Sequence, residues 1–288
     1  MRAFTAGWTG RRLNESNMTI SGENYANQIL DLFNRADTLS EFNSGTYTGV
    51  SLWALSLWAK YLPDDSVMKQ NGARMMKKTW EAVGELWHPD LKNIAGPWDR
   101  SYGFDMNKYL SLMALHFWNI VGKENSSLIE KVCNTAINTL TTDLHSKVPA
   151  LSHVADFGYG PLFAILAEFQ NSIIPEDVVE KLTKFSGEHT FTSSTFSPPF
   201  DIYPRNITAW LAPNISIGAE TFNETVIGGP AINPNTFNPA VIQWDTGNGI
   251  GFINVGSTSL VLGIILTKHS SEPLSPTSQP SRLPTPST

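Results

Sequence analysis

The sequence predicts an α+β protein: an incomplete α/α toroid of about three to four helical hairpins, followed by a mostly antiparallel β region. Three observations predict it. Up to residue 187, segments that are apolar all round alternate with segments apolar on one side only. From 188 to 258 the chain turns rich in Thr, Ile, Val and aromatic residues with Pro and Gly punctuation. From 259 to 288 it reads as a Pro/Ser/Thr-rich, low-complexity tail, expected to be disordered.

Gly22 to Asp37 carries Tyr25, Ile29, Leu32, Phe33 and Ala36 at helical spacing and reads as a one-sided outer helix lacking an inner partner. Thr46 to Leu62 places Val50, Trp53, Leu57 and Trp58 on one face and Leu52, Leu55 and Ala59 on the other, so it must be buried all round. Asp65 to Trp87 is one-sided again, with Gly72, Met76, Trp80 and Val83 inward and Lys69, Lys77, Lys78, Glu81 and Glu85 towards water. Phe104 to Ile120 and Gly160 to Phe169 repeat the buried type; Ser126 to Leu140 and Pro175 to Phe185 repeat the one-sided type, the last with Pro175 suited to a helix start. A toroid accounts for this alternation, because inner helices touch protein on every side and outer helices show one face to solvent. The β region reads as short strands from about His189 to Val255.

Bulk properties weigh against several classes. A net charge of -6 gives no basic footprint for nucleic acid. No stretch reaches the ~18 to 20 apolar residues that span a bilayer, so no membrane partner is expected. The single cysteine, Cys133, excludes an intrachain disulfide framework and a multi-cysteine zinc site, and it sits on an apolar helical stripe where burial disfavours the thiolate. HExxH, GxxxxGK[ST], GxSxG and CxxC motifs are all missing, which removes the commonest zinc, nucleotide and serine-hydrolase readings. No metal or cofactor is expected. N-x-S/T sequons at Asn14, Asn17, Asn125, Asn206, Asn214 and Asn223 are candidate glycosylation sites. The first residues lack the apolar core of a signal peptide, so a secreted location requires the true start to lie upstream.

Each all-apolar helix follows a polar, aromatic loop containing glycine: "SEFNSGTY", "AGPWDRSYGFD" and "LSHVADFGYG". In an array of hairpins, equivalent helix ends share one rim. Asn43, Tyr47, Asp99, Asp105 and His153 are the candidate catalytic residues there, with Glu41, Trp98, Arg100, Tyr102, Asp156 and Tyr159 as candidate substrate-binding residues. The competing reading is helix capping and loop packing, with Asn43, Asp99 and Asp105 as caps and Asp99 and Arg100 tying loops together. His116 reads as a satisfied core histidine and His88 as a complement to a helix C-terminus.

Two chemistries fit the rim. In a polysaccharide β-elimination, a base removes the proton beside a uronate carboxylate, with Asn43 neutralising the carboxylate and His153 and Tyr47 exchanging protons. In glycoside hydrolysis, two of Glu41, Asp99, Asp105 and Asp156 flank the scissile bond. A third possibility is a non-catalytic carbohydrate-binding or structural helical protein, with Trp98, Tyr102 and Tyr159 stacking on sugars or merely packing.

The segments "EFNSGTYTGVSLWAL", "GPWDRSYGFDM", "ITAWLAPNISIGAE" and "FNPAVIQWD" resemble a group of uncharacterised fungal and bacterial proteins related to α/α-toroid carbohydrate-active enzymes. More distantly they are similar to heparinase II/III-type lyases, in which a toroid precedes a β-sheet domain. The resemblance spans about Glu41 to Phe252. It implies a neutralising and acid/base set of Asn, His and Tyr, carried onto Asn43, His153 and Tyr47, and a glycan as partner, and it assigns no role to Asp99 or Arg100. Both ends depart from the group's pattern, which predicts a truncated or misjoined chain.

Overall fold

The computed structural model describes residues 1–101, 106, 111–126, 154–196, 201, 203–221, 238–247, 249–256 and 263–268. It is a mixed helical and antiparallel-sheet protein, as the two hydrophobic periods require. The helices in chain order are α1 (Arg2–Leu13), α2 (Ser16–Ala36), α3 (Tyr47–Tyr61), α4 (Val67–Leu86), α5 (Leu112–Asn125), α6 (Val154–Ala164), α7 (Ala167–Asn171) and α8 (Glu176–Thr183). None of the described helices is long and apolar enough to cross a membrane.

The supposedly unpartnered first helix has a partner, because α1 lies against α2. Glycine makes this possible: a Cβ on Gly10 would sit 2.5 Å from the backbone nitrogen of Thr19, and one on Gly22 would sit 2.4 Å from that of Gly7. The one-sided apolar pattern of α1 is weak, since small residues rather than large ones make its contact. Asn14 ends α1 in the left-handed region at φ 57°, with its backbone N–H directed to the carbonyls of Gly10 and Arg11. Glu23 of α2 then joins both hairpins. It accepts from Arg11 at 2.7 Å, from the Ser66 hydroxyl at 2.7 Å and from the Val67 N–H at 2.9 Å, placing a carboxylate at the start of α4.

Helix α3 is buried on both faces, with Leu52, Trp53, Leu55, Trp58 and Ala59 all enclosed. Helix α4 buries Met68, Met75, Met76, Trp80 and Val83 and is capped by Ser66. Helix α5 starts at Leu112, where the Ser111 hydroxyl accepts the Ala114 N–H at 3.1 Å. The expected all-buried segment from Gly160 is instead broken: α6 and α7 are separated at Ile165 and Leu166, and Leu162 and Ile165 are 46% and 61% exposed. Residues 127–153, which carry the expected helix over Ser126 to Leu140 and Cys133, lie outside the described residues apart from Ser126.

A two-stranded ribbon, β1 (Trp87–His88) with β2 (Asn93–Ile94), leads to the second loop. Six further strands, β3 (His189–Thr195), β4 (Arg205–Ala212), β5 (Ile215–Thr221), β6 (Ala240–Asp245), β7 (Ile250–Gly256) and β8 (Gly263–Lys268), form one antiparallel meander in sequence order. Strand β8 lies within the 259–288 stretch expected to be tail, so the sheet extends beyond residue 258.

Helices and sheet share a core. Ile207, Ala209 and Leu211, the inward positions of β4, pack in one cluster with Trp80, Val83, Leu86, Trp87, Met113 and Phe117. His88 belongs to this junction rather than to a helix dipole: buried in β1, its Nε2 hydrogen-bonds the carbonyl of Ala212 at 2.9 Å, and burial lowers its pKa. His116 is a satisfied core histidine. Its Nε2–H donates to Gly49 O at 3.2 Å, and desolvation pushes its pKa down to about 4.

Candidate functional site

The first two polar loops meet over the inner face of the sheet. Asn43 reaches across with its amide Nδ2 donating to Pro97 O at 2.8 Å, and the Ser44 hydroxyl donates to Arg100 O. The second loop is fastened to the sheet in turn. Trp98 and Asn238 exchange backbone hydrogen bonds of 3.0 and 2.9 Å, and Gln243 of β6 donates to Ile94 O at 2.9 Å. The approach is so close that a Cβ on Gly218 of β5 would lie 1.7 Å from Gly96 O.

Beneath the loops lies a cluster centred on Arg205. This guanidinium donates to Asp99 Oδ1, to Asp201 Oδ2 at 2.7 Å, to Glu220 Oε1 at 3.4 Å and to Ser40 O at 3.4 Å. All three carboxyl side chains are at most 2% exposed. One cation cannot neutralise three buried carboxylates, and a proton relieves the excess. Glu220 is pushed up to about 10 by burial and by the Asp99 charge, and Asp99 is pushed up to about 6 by burial against the opposing pull of Arg205. Glu220 is therefore neutral at pH 7, and its carboxyl O–H donates to the Asp99 carboxylate. Asp99 Oδ2 and Glu220 Oε2 are buried and meet no N–H donor.

Above the cluster, and partly open to solvent, stand Glu41, Tyr47 and Arg100. The Arg100 guanidinium lies 4.4 Å over the Tyr47 ring and 3.5 Å from Glu41 Oε1, with 30% of its side chain exposed. Burial raises the pKa of Glu41, with Arg100 acting in the opposite direction.

The remaining expected residues fare differently. Asn43 is fully buried, with its Oδ1 taking no partner, so its amide fastens the loops instead of facing an open rim. Trp98 is 3% exposed and packed against Leu91, Val241, Ile250 and Phe252, which leaves no ring face for a sugar. Asp99 is held by Arg205. Tyr159 packs its ring 5.0 Å from that of Trp53 on α3. Tyr102, Asp105 and His153 lie outside the described residues, as does Asn223; Asp156 falls in α6, with its side chain outside them. The sequon residues Asn14, Asn17, Asn125, Asn206 and Asn214 are all exposed.

Arg205, Asp201 and Glu220 were not anticipated from sequence. A signal existed: Arg205 holds the inward phase of Ile207, Ala209 and Leu211, and Glu220 that of Ser216 and Gly218, and a charge in the buried phase of a strand demands a partner. Among the described residues no group of His, Cys, Asp and Glu is placed to hold a metal ion. Surface clefts of about 350 and 280 Å³, one between α4, α8 and β3 and one at the α1–α2 turn, include neither Tyr47 nor Arg100.

Residues 1–168, which run from α1 to the start of α7, match the model of a domain of unknown function, DUF8769. The chain belongs to the DUF8769 family. Residues 187–270, which span β3 to β8, match a second domain of unknown function, DUF8770. No curated protein and no solved structure matches the chain.

Proposed function

We propose that the protein is a carbohydrate-active enzyme of lyase type, its hairpins part of an α/α toroid, acting by β-elimination on a uronate-containing glycan at the rim of Glu41, Tyr47 and Arg100. The observation that carries this reading is the convergence of two loops that sets a solvent-accessible guanidinium directly over a tyrosine ring. A guanidinium matches a carboxylate in shape and charge, so Arg100 takes the neutralising role that the resemblance carried onto Asn43. Neutralisation matters because the negative charge grows on the carboxylate as the neighbouring proton leaves.

In the reaction, a deprotonated Tyr47 oxygen takes the proton at C5 of the uronate. The C5–H electron pair becomes the C4–C5 double bond, the C4–O4 bond breaks, and the departing O4 receives a proton from the newly protonated Tyr47 or from His153. The cluster around Arg205 keeps the two loops in register and does not contact the glycan. Hydrolysis is less well supported, because Asp99, one of its four candidate carboxylates, is enclosed and bound to Arg205. The burial of Asn43 and Asp99 favours one alternative, a non-catalytic glycan-binding protein whose loops are clamps.

Full-length protein incubated with uronate polysaccharides is expected to release unsaturated products detected by ultraviolet absorbance. Tyr47→Phe should lower the rate by about 100-fold or more with an unchanged circular dichroism spectrum, and Arg100→Lys should raise KM. Reducing ends without the ultraviolet signal would mean hydrolysis. Retardation in gels containing the polymer, with neither product, would leave binding alone, and either outcome overturns the lyase assignment.

A further inference from the structure

The lyase reading leaves the N-x-S/T sequons unused. Asparagine is not exposed by default in this chain, since Asn43, Asn93, Asn238 and Asn254 are all buried. The sequon residues Asn14, Asn17, Asn125, Asn206 and Asn214 are all exposed, and among them Asn206 has the surroundings of a carrier site. Along β4 the alternate residues Ile207, Ala209 and Leu211 face the helices, so Asn206, Thr208 and Trp210 point to the opposite face of the sheet. Register surrounds Asn206 with Ser194, Thr192, Thr208, Ala219 and Thr221, every one small and uncharged. The Ser194 hydroxyl donates to Asn206 Oδ1 at 2.8 Å. That bond holds the amide by its oxygen, while Nδ2, the atom to which a glycan is joined, takes no hydrogen bond among the described residues. Asn125, by contrast, turns its Nδ2 back onto Val121 O at 3.1 Å.

We propose that Asn206 carries an N-linked glycan whose core lies along the outer face of β4, over Thr208 and against Trp210. Alternate residues of a strand stand ~6.8 Å apart, so Trp210 is about 14 Å along the strand from the point of attachment, within the span of a branched oligosaccharide core. Small side chains let the sugar rings lie flat, and the threonine hydroxyls both donate and accept hydrogen bonds. The Trp210 indole, whose Nε1 donates to Glu188 Oε1 at 3.1 Å, is an anchored aromatic ring for the C–H faces of a sugar, and Ile217, paired with it on β5, extends the apolar end of the bed. In the transfer, Asn206 Nδ2 displaces the pyrophosphate of a polyprenyl-linked oligosaccharide. The bond from Nδ2 to the anomeric carbon of N-acetylglucosamine forms, the bond from that carbon to the phosphate oxygen breaks, and the amide gives up one proton. The assignment is independent of the lyase chemistry at the loops.

Mass spectrometry on the full chain from its native source provides the test. The peptide holding Asn206 is expected to be nearly absent in unmodified form, and to appear with a labelled Asp at that position after release of glycans by peptide N-glycosidase in heavy-oxygen water. In the same glycosylated protein, trimming each glycan to its first sugar with an endoglycosidase should lower the thermal midpoint by about 2 °C or more beyond its effect on Trp210→Ala. An Asn206 peptide recovered mainly unmodified overturns the inference. Occupied Asn206 with equal trimming shifts in wild type and Trp210→Ala overturns the placement of the glycan along β4.

Discussion

Replacing Glu220 by Gln tests the buried cluster most directly, because glutamine copies the neutral carboxyl group and still offers Asp99 an N–H donor. The folded-state pKa of Glu220 lies near 10 against 4.5 for an unperturbed glutamate, so folding takes up a proton at neutral pH. The stabilisation by this group is complete below about 4.5 and is lost as pH rises towards about 10. At pH 7 the interval above 4.5 amounts, at ~1.4 kcal/mol per unit, to a ceiling of roughly 3 kcal/mol. Glutamine has no proton to take up. The variant should therefore exceed wild type by about 1 to 3 kcal/mol at pH 7, and its stability should fall less steeply between about pH 5 and pH 9, by up to ~1.4 kcal/mol per unit. Urea unfolding followed by tryptophan fluorescence across that range provides the measurement, with the midpoint read at constant slope. If the variant is less stable than wild type at pH 7 and the two pH profiles run parallel, Glu220 is ionised in the fold and the shared proton with Asp99 is refuted.

Two further outcomes follow from packing and from histidine burial. Gly218→Ala drives a Cβ to 1.7 Å from Gly96 O, a backbone contact that no rotamer relieves, and should cost about 3 kcal/mol or more, seen as a lowered thermal midpoint. His116, with a folded-state pKa near 4 against 6.5 unperturbed, contributes stability that is present above about 6.5 and lost as pH falls through about 4; His116→Gln should flatten that acid limb by on the order of 3 kcal/mol, measured by acid titration of the circular dichroism signal.

Some of the site was legible in the sequence for a definable reason. Glu41 and Arg100 stand on loops that lead to helices, and Tyr47 opens α3, so a helix end fixes where its neighbouring loop emerges. Their burial was not legible. Asn43 and Asp99 read as polar loop residues, yet the sheet closes over them because Trp98 bridges to Asn238 and Gly96 fits against Gly218. Those contacts join residues more than a hundred positions apart, and no local pattern encodes them. The helix α1 was missed for the opposite reason: its contact surface is Ala3, Gly7 and Gly10, and small residues leave a faint hydrophobic period even where packing is closest.

By itself, then, the sequence determined the secondary-structure classes, because the 3.6- and 2-residue periods are properties of the local chain and survive without tertiary context. It likewise determined the net charge of -6, since net charge is a sum over residues. Only the tertiary structure decided that Arg205 of β4 would gather Asp99, Asp201 and Glu220, that one proton would be shared beneath the loops, and that Arg100 would stay at the surface beside Tyr47. Charge balance and desolvation depend on which groups meet in a buried volume, and that meeting exists only once helices and sheet share a core.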